Sequence, residues 1–280
     1  MPDDNQKALG ELVDSMGLLH DIVALRRRLH EEGYLFFRGL LDADELLAIR
    51  EDMLKLADEA GFVNRDRPLP AGIYSGQTFP ASRKFETSPL YRKILELPRF
   101  NAFGRNPVLT LLYGGLLDGP ILEHRRRIGR ITFPQSFKNT TPPHQDYFYI
   151  KGTPDTYTCW IAAGDCPAEL GGLAVMPRTN HLGYIEHEPM PGTGGHGVPH
   201  DKCEALGLPW LTTDFKTGDL LLFHGLTLHK ALDNRTEDRL RVSLEFRYQR
   251  AEDPIDPSSQ QYHMHGAFET EEAPEVKQTQ

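Results

Sequence analysis

His144 and Asp146, one residue apart in Pro143-His144-Gln145-Asp146-Tyr147, and His229 far downstream are residue types that can share one transition metal. Two imidazoles and one carboxylate form the facial set that binds non-heme Fe(II) and leaves positions open for a cosubstrate and oxygen. The spacing predicts an extended strand, on which i and i+2 share a face, so that His144 and Asp146 reach one ion while Gln145 points away. The third ligand need not be near in sequence if an antiparallel barrel brings distant strands together. Taken alone the tripeptide says little, because the chain has 12 histidines and a histidine beside an unrelated aspartate is the commoner case.

The stretch from Gly218 to Gln249 supplies the context. Gly218-Asp219 is a turn signal before the apolar run Leu220 to Phe223, which predicts a buried strand. After His229, the cluster Asp233 to Asp238 predicts a loop. Leu240, Val242, Leu244, Phe246 and Tyr248 then alternate with Arg241, Ser243, Glu245, Arg247 and Gln249, which predicts a strand with one apolar and one polar face. Arg241 falls on the polar face, where a guanidinium fork could meet a carboxylate two-pronged, as lysine cannot. Arg239 shares that face, and alternation does not separate the two.

With these residues in place, the chain resembles the phytanoyl-CoA dioxygenase family of Fe(II)- and 2-oxoglutarate-dependent oxygenases over about Gly33 to Gln249. The resemblance rests on His144-Gln145-Asp146, the strand Thr158-Cys159-Trp160-Ile161-Ala162, the turn Glu169-Leu170-Gly171-Gly172-Leu173, and Val175 to His181. It ends with His229, Asn234 and Arg241-Val242-Ser243. It implies a mainly β fold, a double-stranded β-helix (jelly roll, cupin-like) with flanking α-helices. It further implies His144, Asp146 and His229 as iron ligands, Arg241 as the clamp on the distal carboxylate of 2-oxoglutarate, and Trp160 near that cosubstrate. The clamp arginine comes one residue later than is usual in the family, which a longer loop explains. The family's small hydroxyl residue two places after the distal histidine is Ala231 here, so a hydrogen bond to the cosubstrate is missing or comes from elsewhere.

The spacing to Asn234 and Arg241 favours His229 over His224 as the distal ligand, leaving His224 as a strand-end residue. His181 reads as a structural hydrogen-bonding residue. His187, His196 and His200 lie in a Gly/Pro-rich loop, and His263 and His265 in a polar tail. Binding groups concentrate on loops above a rigid scaffold, so Tyr74, Gln77, Tyr147 and the loop from His187 to His200 are the expected substrate-side residues. Packing on the outer sheet is the rival role for Tyr147.

The elements that must position these groups follow from periodicity. Leu18 to Glu31 predicts a helix, Gly33 to Gly39 a short strand, and Asp42 with Glu45 a capped helix to about Ala60. Residues 63–84 predict a loop over the pocket, with helices at about Pro89 to Leu97 and Asn106 to Tyr113. Short strands then run from Ile121 to Gln249, as an eight-stranded double sheet requires. One domain, 1–250, is expected, with N-terminal helical additions and a polar, partly disordered tail over 251–280. The 280 residues are 39% hydrophobic and 25% charged, and no apolar run approaches a membrane span.

The N-terminus, acidic and polar, does not read as a signal peptide. Cys159, Cys166 and Cys203 form neither an even framework nor a C-x-x-C pair, which suits reduced thiols in a cytoplasmic protein. A net charge of -9 argues against nucleic acid as a partner. Arg26 to Arg28 read as a solvated helix face. Arg125 to Arg127 precede a strand, and decoration of its edge is favoured there over contact with an anionic substrate.

The expected activity is hydroxylation of an unactivated C–H bond in a small molecule, with 2-oxoglutarate and O2 giving succinate and CO2. Desaturation, epimerisation or ring formation by the same cofactors, and a non-catalytic jelly-roll binder, are the alternatives. Halogenation is disfavoured because Asp146 fills the position a halide would need. Metabolites and natural-product intermediates suit the chain better than an acyl-CoA, since no extended basic surface stands out.

Overall fold

The computed structural model describes residues 9–78 and 85–263. Seven helices are α1 (Ile22–Glu32), α2 (Ala43–Glu59), α3 (Pro89–Glu96), α4 (Pro98–Phe103), α5 (Pro107–Leu117), α6 (Asp146–Ile150) and α7 (His200–Ala205). Twelve strands are β1 (Gly10–Glu11), β2 (Tyr34–Phe37), β3 (Ile121–Glu123), β4 (Ile128–Thr132), β5 (Tyr157–Ala162), β6 (Leu173–Val175), β7 (Glu188–Pro189), β8 (His196–Gly197), β9 (Leu211–Thr212), β10 (Leu220–His224), β11 (His229–Ala231) and β12 (Arg241–Arg250).

Helix starts follow local chemistry. Asp21, Asp42, Ser88 and Asn106 each accept a main-chain N–H in the first turn of α1, α2, α3 and α5, and Pro89 and Pro107 sit where a missing N–H costs nothing. The helix expected from Leu18 instead begins at Ile22, because Asp21 turns aside to cap it. α1 ends at Gly33, whose φ of 77° suits a residue without a Cβ. The short α4, α6 and α7 carry too few turns for periodicity to show them.

The strands form a jelly roll. The major sheet runs β2-β10-β5-β12-β3, with β4 also paired to β12, and the minor sheet runs β1-β9-β6-β11. His144 and His229 form an isolated antiparallel bridge that extends the minor sheet beyond β11. β12 is the long central strand: Arg241 to Glu245 pair with β4 on one side, and Ser243 to Tyr248 pair with β5 on the other.

Two apolar clusters follow from the two faces of the major sheet. Val242, Leu244, Phe246 and Tyr248 of β12, with Cys159 and Ile161 of β5, face outward under α2, α3, α4 and α5. Phe246 lies 5.4 Å from Phe100 and 5.8 Å from Phe103 between ring centroids, and burial of one such side chain contributes about 2–3 kcal/mol. The second cluster sits between the sheets, where Trp160, Phe36, Phe215 and Phe223 close one end of the barrel. The other end is open and polar.

After β12 the chain returns to the barrel instead of leaving it. Gln249 Nε2 donates to the Asp253 carbonyl, and the buried Ser259 hydroxyl donates to the Ile150 carbonyl. His263 thereby reaches Tyr91, with Nδ1 2.6 Å from its hydroxyl. His265 and the rest of the tail lie outside the described residues. Among the described residues no helix is long and apolar enough to cross a membrane.

Candidate active site

His144, Asp146 and His229 converge at the open end, with ligand atoms all within 4.8 Å of one another and all three side chains buried. The local path differs from the expected strand. His144 is extended and pairs with His229, but the chain then turns, and Asp146 opens the short helix α6. The two ligands still share a direction because the bend after Gln145 carries Asp146 back toward the bridge. Gln145 does point away: its amide donates to the Gly183 and Leu226 carbonyls and accepts from Ile185 N–H.

Each imidazole is oriented from behind. Nδ1 of His144 lies 2.9 Å from the Pro142 carbonyl and Nδ1 of His229 lies 3.0 Å from the Thr227 carbonyl. Donation from both Nδ1 atoms leaves the Nε2 atoms as bases, 3.7 and 3.8 Å from Asp146 Oδ1. Burial, reinforced by His144, pushes the His229 pKa down to about 3, so the ring is neutral and can donate electrons. Burial would raise the Asp146 carboxyl, but neighbouring charge, the Arg247 guanidinium foremost, outweighs it and holds the group well below the usual carboxylate range.

Arg247 grips Asp146 with two prongs, Nε to Oδ2 at 3.0 Å and Nη2 to Oδ1 at 3.2 Å, and the Thr158 hydroxyl donates to Oδ2. Neither partner was singled out from sequence. Arg247 lies on the same polar face of β12 as Arg241, three alternations along, so that face carried the signal.

Arg241 is buried inside the barrel, donates to the Gly171 and Gly172 carbonyls and to Thr132 Oγ1, and lies 5.9 Å from the Trp160 ring centre. Its Nε has no hydrogen-bond partner, and no carboxylate neutralises it among the described residues. Burial pushes its pKa down, as for any guanidinium removed from water without an anion. Gly171, which presents one of the accepting carbonyls, has a φ of 76°, and a Cβ there would come within 2.5 Å of the Asp233 backbone. Arg239, by contrast, is 39% exposed at its side chain and pairs with Glu169 at 3.6 Å. It does not line the cavity.

A cavity of about 770 Å³ joins these groups; Arg241, Trp160, the three clustered residues and Ala231 all line it. Tyr74 and the loop segment Gly192 to Gly194 also line it, whereas Gln77 and Tyr147 do not. Gln77 turns toward the Ala60 carbonyl, and the helical turn at Asp146 sends Tyr147 toward Tyr184, 6.1 Å away between ring centres. Tyr149, two residues on, takes the cavity-facing place, with its ring 5.5 Å from that of His144. The wall also includes Thr141, whose carbonyl accepts from Ala231 N–H, and Thr132, whose hydroxyl accepts from Arg241.

Several other histidines have structural partners. His224 Nδ1 accepts from Leu226 N–H and its Nε2 donates to Asp155, away from the cluster. His181 lies edge-on to His30 at 4.9 Å. His187 accepts from Gln145 N–H, stacks on Phe148 at 4.4 Å, and has its pKa pushed down to about 4 by burial. His196 holds Tyr149 through its carbonyl, and His200 begins α7. His263, placed by its sequence in a polar tail, lines the cavity.

The family profile for phytanoyl-CoA dioxygenase (PhyH) matches residues 29–242, a span that holds both halves of the jelly roll and every clustered residue. The chain belongs to the phytanoyl-CoA dioxygenase family. Among curated relatives, 1-deoxypentalenic acid 11-beta-hydroxylase of Streptomyces exfoliatus is 26% identical over 254 residues, covering 87% of this chain and 86% of the relative. Among solved structures, the epimerase SnoN, in complex with Fe3+, alpha ketoglutarate and nogalamycin RO, superposes with a TM-score of 0.61 at 19% identity, covering 85% of this chain and 87% of SnoN. The alpha ketoglutarate dependent carbocyclase SnoK superposes with a TM-score of 0.59 at 19% identity, over 95% of both chains. These two likenesses establish the fold.

Proposed function

We propose that this member of the family is an Fe(II)- and 2-oxoglutarate-dependent dioxygenase that hydroxylates an unactivated C–H bond of a small metabolite or natural-product intermediate. The observation that carries the reading is Arg241: a buried guanidinium without an ion-paired carboxylate among the described residues, in the same cavity as two Nε2 atoms and one carboxylate that face each other. His144 Nε2, His229 Nε2 and the Asp146 carboxylate would hold the iron. Arg241 would take the distal carboxylate of 2-oxoglutarate, against the wall made by Trp160. With Ala231 lacking a hydroxyl, Thr132 or Thr141 would supply a hydrogen bond to that carboxylate.

Bound iron supplies the means to couple decarboxylation of 2-oxoglutarate by O2, giving succinate and CO2, to oxidation of a C–H bond. The chain's own residues do the rest. The Pro142 and Thr227 carbonyls fix the tautomer of both imidazoles, and Arg247 with Thr158 aims Asp146. Trp160, Phe223 and Leu173 wall the inner end against water. Tyr74, Tyr149 and the segment Gly192 to Gly194 would orient the substrate carbon, since positioning supplies much of the rate when reacting atoms are held in place.

Hydroxylation is favoured over epimerisation and ring closure by the more similar relative, named a hydroxylase. The three buried, unpaired thiols support a reducing, cytoplasmic setting. The test is succinate release under oxygen with Fe(II), screened against a metabolite library. Substrate-stimulated succinate with a product heavier by one oxygen is expected. Ligand binding without 2-oxoglutarate turnover would make the protein a jelly-roll binder instead.

A further inference from the structure

Arg125, Arg126 and Arg127 share one loop before β4 but have three different fates. Arg125 is exposed. Arg127 is consumed by Glu123, at 2.5 and 2.9 Å, and by Asn101 at 2.8 Å. Arg126 lines the cavity, so edge decoration fails for the middle residue of the triplet. Its Nη1 donates to the Tyr149 carbonyl at 3.0 Å, and its own carbonyl accepts from Arg247 Nη1 at 3.3 Å, the same Arg247 that grips Asp146. The residue is therefore fixed beside the reaction centre, and its Nε and Nη2 edge carries no bond among the described residues. No carboxylate lies within ion-pair distance of it among the described residues.

Charge makes the same point. The described cavity walls hold four guanidiniums (Arg126, Arg130, Arg241 and Arg247) against three carboxylates (Glu86, Asp146 and Glu245). Arg130 is matched by Glu86 at 3.0 Å, and Arg247 by Asp146 and Glu245. A divalent iron and a dianionic 2-oxoglutarate cancel each other, so one positive charge is left over. Arg241 belongs to the cosubstrate in the reading above. Among the described residues Arg126 has no carboxylate at ion-pair distance, only the longer-range attraction of Asp146 and Asp256, and a partly buried charge gains most from a partner that shares its low-dielectric surroundings.

One stretch of the wall is apolar, beside a polar stretch at Gln135, Ser136 and Asn139. Phe133 meets Phe62, Tyr74 and Phe85 at 5.1, 5.4 and 6.0 Å between ring centres, and Ile128, Ile131 and Ile150 continue the surface. We infer that the substrate is a monocarboxylate with a bulky apolar body, held through its carboxylate by the free Nε and Nη2 edge of Arg126. One surplus charge suits a monoanion, whereas a phosphate dianion or an acyl-CoA would bring more negative charge than this cavity can match. The inference rests on the proposed cofactor assignment only for the charge given to Arg241.

The test uses matched probes: 1-deoxypentalenic acid, decanoate and cyclohexanecarboxylate, each beside its methyl ester. Affinity is read by thermal shift with and without Fe(II) and 2-oxoglutarate, and succinate release is read in parallel. In the wild type at least one acid should bind more tightly than its ester by roughly ten- to a hundredfold, the factor expected of hydrogen bonds to a charged group. Arg126→Gln should reduce that acid to the level of its ester by raising its Kd and KM while the ester is unchanged, and Arg126→Lys should restore part of the preference. A purely structural role, tying down α6 through the Tyr149 carbonyl, would instead weaken acid and ester alike. That result, or a wild type with no preference for any acid, overturns the inference. Absence of 2-oxoglutarate binding in the wild type would overturn the cofactor reading alone, because the acid and ester comparison is read separately.

Discussion

Along β12, Val242, Leu244, Phe246 and Tyr248 pack under the helices, whereas Arg241, Ser243, Glu245, Arg247 and Gln249 face into the barrel. Both faces are largely shielded from water, and that is what makes them instructive together. The outer face is stabilised by apolar area and needs only shape. The inner face buries charge, which is tolerated when each group has a partner and otherwise leaves a site that attracts a ligand. Arg247 has its partner in Asp146; among the described residues Arg241 has only carbonyls and one hydroxyl. One strand thus carries stability on one side and chemistry on the other.

Asp146→Ala should break the inner face most severely. It removes a ligand and strands Arg247, so Fe(II)-dependent turnover should vanish and stability should fall by about 3–5 kcal/mol, the cost of leaving a buried charge alone. Denaturant unfolding of the metal-free protein measures the second effect, and a double variant with Arg247→Met should recover much of it without recovering turnover. Phe246→Ala probes the outer face. A loss of about 3–5 kcal/mol is expected there too, but kcat of the folded enzyme at low temperature should stay near that of the wild type. Equal damage to kcat would mean that the two faces are not separable.

Arg241→Lys sharpens the inner face further. A point charge replaces a fork, so the KM for 2-oxoglutarate should rise by about tenfold or more, while Arg239→Lys, at the exposed pair with Glu169, should change it little. The reverse ranking would transfer the clamp to Arg239.

A further effect is on pH dependence. His124, hydrogen-bonded to Gln249 on the inner face, and His229 are held neutral by burial, with pKa values pushed down to about 4 and about 3. The unfolded chain takes up protons on both near pH 6.5, so their contribution is complete above that value and is lost as pH falls toward the folded values. About 2 kcal/mol per histidine should be gone by pH 5. Unfolding of the metal-free protein between pH 7 and 5 measures this, and His124→Gln should flatten the slope.

The two faces differ in how far the sequence reveals them. Period-two alternation located β12 and put Arg241 on the polar side, and the family resemblance carried in part by His144, Asp146 and His229 implied the jelly roll. It could not say that the polar side is the inside, because alternation assigns faces and not the layer that covers them. Arg247 therefore read as one more strand arginine, and Arg126 as an edge residue. The turn at Asp146 was hidden for another reason: α6 spans five residues, too few for a helical period to show, and so Tyr149 faces the cavity where Tyr147 was expected. His263 reaches the site only because Gln249 and Ser259 fold the following segment back, and neither contact has a local signature.

The most direct test of the central claim is anaerobic titration of the metal-free protein with Fe(II) and then with 2-oxoglutarate, followed by calorimetry and visible absorption. One iron per chain is predicted, with 2-oxoglutarate bound tightly only once iron is present, no tight iron in His144→Ala, Asp146→Ala or His229→Ala, and weakened 2-oxoglutarate in Arg241→Lys with iron retained. Stoichiometric iron in a variant lacking His144, Asp146 and His229 together, or 2-oxoglutarate binding indifferent to both iron and Arg241, would contradict the account.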